Sequence, residues 1–90
     1  MEVYPFGPQN EEEALVFAEE NFRVDVQHKI HKLMVVQGIS DKDLAERLGV
    51  TEEDVEGFLG DDAMIDLRML ARIFHVLGFR CELKLEQIQN

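Results

Sequence analysis

A few side chains of this sequence have types and spacing that could do chemistry. Asp25, His28 and His31 recur every three residues, which would place a carboxylate and two imidazoles along one helix. A metal would need at least three well-placed ligands from this cluster, and we interpret the two histidines instead as solvent-facing residues. His75 has no acid, base or nucleophile paired with it, and Cys81 is expected to act as a small hydrophobic residue. The sequence therefore predicts no enzyme activity, no metal site and no cofactor.

Residues 41–60, DKDLAERLGVTEEDVEGFLG, carry a more demanding pattern. Two short helices packed at a steep angle need a small residue where their backbones approach, a residue that tolerates positive φ at the turn, and branched residues between them. Ala45, Gly49 and Val55 supply these three types at offsets of four and ten residues. The remaining apolar positions are filled by Leu44, Leu48, Val50 and Phe58. The spacing predicts a helix-turn-helix, with an ordinary hairpin of two helices as the alternative.

The helices that must position this motif follow from capping residues and apolar periodicity. Both prolines lie in residues 1–10, which we interpret as an N-terminal arm ahead of a helical domain over residues 11–78. Start and stop signals then predict five helices, roughly over residues 11–22, 24–37, 41–48, 51–59 and 67–77. The first is acidic, and its apolar side, Leu15, Ala18 and Phe22, would cap the core or cross to a partner subunit.

After Gly78 the pattern changes from helical to alternating, which predicts a strand in a C-terminal segment of residues 79–90. One side of this strand would carry Phe79, Cys81, Leu83 and Leu85. A single strand leaves backbone groups unpaired, so we expect these residues to form a dimer interface with the same strand of a second copy. The predicted fold is mainly α: a five-helix bundle that contains a helix-turn-helix, plus one C-terminal β-strand that pairs across a homodimer.

Charge is distributed unevenly along the 90 residues, although 19 acidic and nine basic residues give a net charge of −10. A uniform charge of that sign would repel nucleic acid and anionic lipid. Residues 51–66 carry seven acids and no base, whereas residues 23–50 carry five bases and residues 67–90 carry four. The apolar runs are at most five residues long, there is a single cysteine, and no secretion signal lies near Met1. We therefore expect a cytoplasmic protein with no membrane association.

The motif resembles the helix-turn-helix family of Cro and lambda repressor, known as the Xre family. Residues 30–38 are similar to the first helix of that family, and DLRMLARIFHVLG at residues 66–78 is similar to the closing helix of its small regulators. The GFRCELKLE tail resembles the terminal strand through which some antitoxin-type members dimerise. The resemblance covers about residues 26–86. It implies that residues 51–59 enter the major groove of DNA while the helix before them braces against a phosphate.

The resemblance also implies which residues face DNA. On the motif they are Asp41, Lys42, Thr51, Glu52, Glu53, Glu56 and Gly57. Cations that would flank the groove and hold phosphates are Lys29, Lys32, Lys42, Arg47, Arg68 and Arg72. The sequence departs from the family pattern at Asp41, Glu56 and Met64, where a contact to phosphate or base is lost. We expect a dimeric, antitoxin-like transcriptional regulator that binds a palindromic operator in double-stranded DNA, and a toxin is a further candidate partner.

A second hypothesis belongs to another functional class. The presumed recognition helix offers four acids and no cation, whereas non-specific DNA affinity comes from cations that displace condensed counterions. On this hypothesis the helix-turn-helix scaffold has lost DNA binding and binds a protein partner of basic surface through its acidic face.

Overall fold

The computed structural model describes residues 10–60 and 65–88, which contain four α-helices. The helices are α1 (Glu11–Gln37), α2 (Asp41–Leu48), α3 (Glu52–Leu59) and α4 (Leu67–Val76). The chain divides between Lys32 and Leu33 into two compact units, and α1 contributes residues to both. Residues 1–9 of the predicted N-terminal arm, and Met64, lie outside the described residues.

The prediction of two helices before Gly38 is wrong, because α1 is continuous through Phe22, Arg23 and Val24. The predicted junction contains neither proline nor glycine, so nothing there breaks the backbone hydrogen bonds. The Arg23 guanidinium spans the junction, since it donates to Glu20 Oε2 at 2.7 Å and to Gln27 Oε1 at 3.1 Å. Pairs three and four residues apart on a helix lie side by side and stabilise it. The described residues therefore form four helices rather than a five-helix bundle.

The predicted C-terminal β-strand is also wrong. Residues 79–88 contain no strand, and the described residues as a whole contain none. A strand is defined by backbone hydrogen bonds to a neighbouring strand, and alternation of apolar and charged residues does not supply that neighbour. The backbone N–H of Phe79 instead donates to the carbonyl oxygen of Phe74 at 2.8 Å, which closes the end of α4.

The second unit is organised around α2, which packs against both α3 and α4. Leu44 of α2, Val55 of α3 and Ile73 of α4 are fully buried. Removing side chains of this size from water contributes roughly 1.5–3 kcal/mol each. The buried set of this unit is completed by Met34, Ile39, Ala45 and Leu77. Three consecutive helices thus hold one another through a small apolar core.

Three helices end in the same way, each followed by a glycine with positive φ: Gly38, Gly49 and Gly78. In each case the glycine N–H donates three residues back and the next residue donates five residues back, as in the Schellman motif. At α2 the bonds run from Gly49 to Glu46 at 3.3 Å and from Val50 to Ala45 at 3.0 Å. These ends lie where the sequence predicts them.

In the first unit, α1 exposes large apolar side chains on more than one side. Leu15, Phe17 and Phe22 are each at least half exposed, as are Val16 and Val24. Ile30, near the end of this unit, is fully buried. Within the described ranges, none of the helices combines the length and the apolar character that crossing a bilayer requires.

Candidate nucleic-acid interface

The residues predicted to form the helix-turn-helix form α2, a three-residue connection and α3, which together we call the elbow. Gly49 starts the connection with φ 72° and ψ 32°, the left-handed conformation in which other residues are strained. Leu44, Ala45 and Val55 are buried between the elements, and Leu48, Val50 and Phe58 are half-buried. Every apolar position of the motif is thus used inside the unit. The outer side of α3 is left for other contacts.

Both helices of the elbow begin with a complete capping box. The Ser40 hydroxyl accepts from the Asp43 backbone N–H at 3.1 Å, and the Asp43 carboxylate accepts from the Ser40 N–H at 3.0 Å. Thr51 and Asp54 repeat this pair of bonds, both at 3.1 Å. Two otherwise unsatisfied N–H groups are bonded at each start, which fixes where the helices begin and how they enter the elbow.

The capping bonds hold the pKa of the Asp43 carboxyl below its usual value of 3.8. The largest cause is the hydrogen bond from the Ser40 backbone, followed by the one from its hydroxyl. Arg47 and Lys42 act in the same direction through their charge. The charged form of Asp43 is therefore part of the folded state.

The outer face of α3 consists of exposed residues, all of them among the predicted DNA contacts. Thr51, Glu52, Glu53, Glu56 and Gly57 are exposed, and Val55 is the buried residue of the helix. A Cβ atom added at Gly57 would meet no atom within 4 Å. The helix therefore offers a flat surface beside Gly57, flanked by the longer side chains of Glu53 and Glu56.

The charge of α3 is entirely negative, with three acids in its first turn and Glu56 in its second. The positive end of the helix dipole stabilises the first three. The Asp54 carboxylate accepts a hydrogen bond from the Thr51 N–H, so it belongs to the N-cap of α3 and not to its outer face. Glu52, Glu53 and Glu56 remain as the acids of that face.

The predicted flanking cations have different environments. Lys42 and Arg68 are exposed. Asp41, the predicted DNA contact beside Lys42 at the start of α2, is half-buried. Arg47 is exposed, but its Nη1 donates to the carbonyl oxygen of Val76 at 3.2 Å and thereby caps α4. Lys29 and Lys32 are exposed residues of the other unit. Lys42, Arg68 and Arg72 are therefore the predicted flanking cations of the second unit that make no such capping bond among the described residues.

A groove that the sequence does not predict lies between the end of α2, α4 and the segment after Gly78. Three arginines are among its lining residues, Arg47, Arg72 and Arg80, together with His75. The guanidinium of Arg80 is paired with the Glu82 carboxylate at 2.9 Å. The apolar lining of the groove includes Leu48 and Phe79. These residues come from three separate elements, so no local spacing in the sequence brings them together. The only sequence signal is the excess of bases after residue 66. We call this the arginine groove.

The four residues predicted to form a dimer interface are all exposed. Phe79 and Cys81 line the arginine groove, and Leu83 and Leu85 are each 89% exposed. Their contact with a second copy stays a prediction, although the strand that was expected to carry it is absent from the described residues.

The histidine cluster considered as a metal site is exposed throughout. Asp25, His28 and His31 all lie on the surface of α1. Across residues 10–60 and 65–88, no three His, Cys, Asp or Glu side chains come together in a way that could hold a metal ion.

Comparison of the chain with protein-family models, curated proteins and solved structures finds no match.

Proposed function

We propose that this protein is a cytoplasmic, DNA-binding transcriptional regulator of the helix-turn-helix type, antitoxin-like in size, which binds a palindromic operator as a homodimer. The observation that supports it is the elbow itself. α3 is held by a buried Val55, a Schellman turn before it and a capping box at its start, while its outer face is exposed. A rigid, exposed second helix is the element that such motifs insert in the major groove.

In this proposal the acids of α3 read bases and other elements supply the affinity. A carboxylate accepts a hydrogen bond from the exocyclic amino group of cytosine, so Glu53 and Glu56 would favour C·G pairs. Lys42 and Arg68 would contact phosphates, and the Thr51 hydroxyl, whose oxygen accepts the cap bond, still has its proton to donate. Because few cations take part, we expect a shallow dependence of binding on salt and weak non-specific affinity.

The test uses duplex DNA from upstream of the gene for this protein, with a random duplex of equal length as the reference. At low salt we expect the upstream duplex to bind more tightly. Glu53→Gln with Glu56→Gln should raise affinity for the random duplex and reduce the preference for the upstream one, because repulsion and base reading are both removed. Equal affinity of the wild-type protein for the two duplexes across a range of salt would overturn the proposal.

A matched control separates contact from net charge. Asp25→Asn with Glu86→Gln changes the net charge by the same amount at two exposed positions outside the elbow. We expect this control to raise random-duplex affinity less than the α3 variant and to keep the preference for the upstream duplex. Equal effects of the two variants would show that α3 is not close to the DNA.

The charge of α3 favours one second candidate, a module that binds a basic protein partner. Glu52, Glu53 and Glu56 form an exposed acidic face with no basic residue on the same helix. If this is the function, the wild-type protein binds neither duplex, and Glu53→Gln with Glu56→Gln weakens binding to its partner. A basic partner that binds the matched control, is displaced from it by DNA and is lost with the α3 variant would identify this case.

A further inference from the structure

The arginine groove is a cationic surface on an acidic protein. Its three arginines come from α2, α4 and the segment after Gly78. The Arg80 guanidinium donates to the Glu82 carboxylate at 2.9 Å, so Arg47 and Arg72 supply the cationic charge of the lining that no ion pair matches among the described residues. Arg47 uses Nη1 to reach the Val76 carbonyl, which leaves the other N–H groups of its guanidinium available. Leu48 and Phe79 add apolar surface between the charges. The groove therefore suits an occupant that combines carboxylates with apolar side chains.

The first unit carries a surface of that chemistry on α1. Glu11, Leu15, Glu19 and Phe22 follow one another at intervals of four, four and three residues, which places them along one face of the helix. All four are exposed, with Leu15 at 64% and Phe22 at 61%. We call this the acidic face of α1. Leu15 and Phe22 therefore add apolar surface between and beside the two carboxylates of this face.

We propose that the arginine groove of one copy receives the acidic face of α1 of a second copy. Carboxylates of Glu11 and Glu19 would meet the arginines, while Leu15 and Phe22 would meet Leu48 and Phe79. We expect the contact to be made in both directions between two copies, which gives a dimer with two identical interfaces. This proposal goes beyond DNA binding and does not rest on it, because both surfaces lie outside the outer face of α3.

Charge complementarity supports a second copy over other occupants. The protein is acidic overall, so contact between a cationic patch and an acidic one lowers the repulsion that opposes association of two copies. The groove and the acidic face of α1 supply such a pair within one sequence. The combination of arginines and apolar side chains also matches the composition of protein interfaces, in which arginine and aromatic residues are enriched.

The native cysteine allows a direct test, because Cys81 lines the groove and is exposed. The double variant Leu15→Cys, Cys81→Ser is mixed with wild-type protein and oxidised with glutathione disulfide. We expect the mixed disulfide between residue 15 of one chain and Cys81 of the other in excess over random pairing, measured by mass spectrometry without reduction. Phe17→Cys, Cys81→Ser is the control, since residue 17 lies about 200° further around the helix. Equal yields from the two variants would overturn the proposal.

A second measurement follows the mass of the full-length protein without DNA by analytical ultracentrifugation. We expect a dimer, and we expect Arg72→Glu to weaken it roughly tenfold or more through like-charge repulsion. Adding Glu19→Arg to Arg72→Glu should restore the dimer. Arg68→Glu, one turn earlier on α4 and outside the groove lining, makes the same change in net charge and should leave the dimer intact.

These outcomes are distinguishable from failure of the DNA-binding proposal. A monomeric wild-type protein, or a dimer that Arg72→Glu does not weaken, overturns the groove proposal whatever the protein does with DNA. If Arg72→Glu lowers affinity for duplex DNA while the mass stays the same, the groove holds phosphates rather than α1. A circular dichroism spectrum equal to that of the wild type shows that each variant is folded.

Discussion

The Gln37 side chain at the end of α1 donates through Nε2 to the carbonyl oxygen of Leu77 at 2.7 Å, just after the end of α4. The Arg47 guanidinium reaches the carbonyl of Val76, one residue earlier, at 3.2 Å. The last carbonyl groups of a helix have no partners inside it and need donors from elsewhere. Two side chains from two other elements therefore cap α4 and attach its end to the rest of the second unit.

Replacing Gln37 tests this attachment. Gln37→Ala should lower the free energy of unfolding by about 1 kcal/mol, since it removes one hydrogen bond to a partly buried carbonyl. Gln37→Glu should lower it further, because a carboxylate cannot donate and is repelled by the negative end of the helix dipole. Urea denaturation measures both, with Val36→Ala as the control at a neighbouring residue that is 75% exposed. Variants as stable as the wild type would argue against this role for the side chain.

The capping box of α3 predicts a difference between two conservative changes at Thr51. Thr51→Ser keeps the oxygen that accepts from the Asp54 N–H, and we expect little change in stability. Thr51→Ala removes it and should cost about 1 kcal/mol. Thermal denaturation followed by circular dichroism compares the two variants. If alanine is tolerated as well as serine, the start of α3 is held by packing of Val55 and not by its cap.

The lowered pKa of Asp43 predicts a dependence of stability on pH. A carboxyl group whose pKa is lower in the folded than in the unfolded protein contributes stability that is complete above its ordinary value of 3.8. That contribution is lost as the pH falls through the lowered value. Asp43→Asn should therefore be less stable than the wild type at neutral pH, and the difference should shrink in acid. Asp25→Asn controls for the loss of one exposed charge, and a difference that stays constant with pH would contradict the assignment.

Gly57 and Gly49 predict opposite effects of the same substitution. Gly57→Ala should stabilise the protein by roughly 0.5–1 kcal/mol, because Gly57 lies within a helix and an added Cβ meets nothing. Gly49→Ala should destabilise it by about 1–2 kcal/mol, because its φ of 72° strains any residue with a Cβ. Denaturation curves of both variants measure these changes.

The stabilised Gly57→Ala variant also reports on the outer face of α3. If this face is seated against DNA, we expect the added methyl group to weaken binding to the upstream duplex while the protein becomes more stable. Unchanged binding would show that Gly57 does not lie against the DNA. Because stability and binding then move in opposite directions, misfolding cannot explain the loss.

Several features of the fold could be predicted because neighbouring residues determine them. The Ser40–Asp43 and Thr51–Asp54 boxes, the Asp66 cap and the glycines after α1, α2 and α4 all act within five residues along the chain. The buried Ala45 and Val55 follow from the same local spacing. The two wrong predictions have different causes. No residue near Phe22 breaks a helix, and Arg23 bonds to Glu20 and Gln27 across that position. Alternation after Gly78 predicts a strand only where a neighbouring strand supplies hydrogen bonds, and the described residues contain none.

The amino-acid sequence alone determined where each helix of the elbow starts and stops and which side of α3 is exposed. These features depend on bonds and spacing between residues that are close in the chain. The tertiary structure decided what lies far apart in sequence. Gln37 meets Leu77, Arg47 meets Val76, and three arginines from different elements line one groove. Such contacts depend on how helices dock, and docking is set by the shape of a shared core that no local pattern encodes.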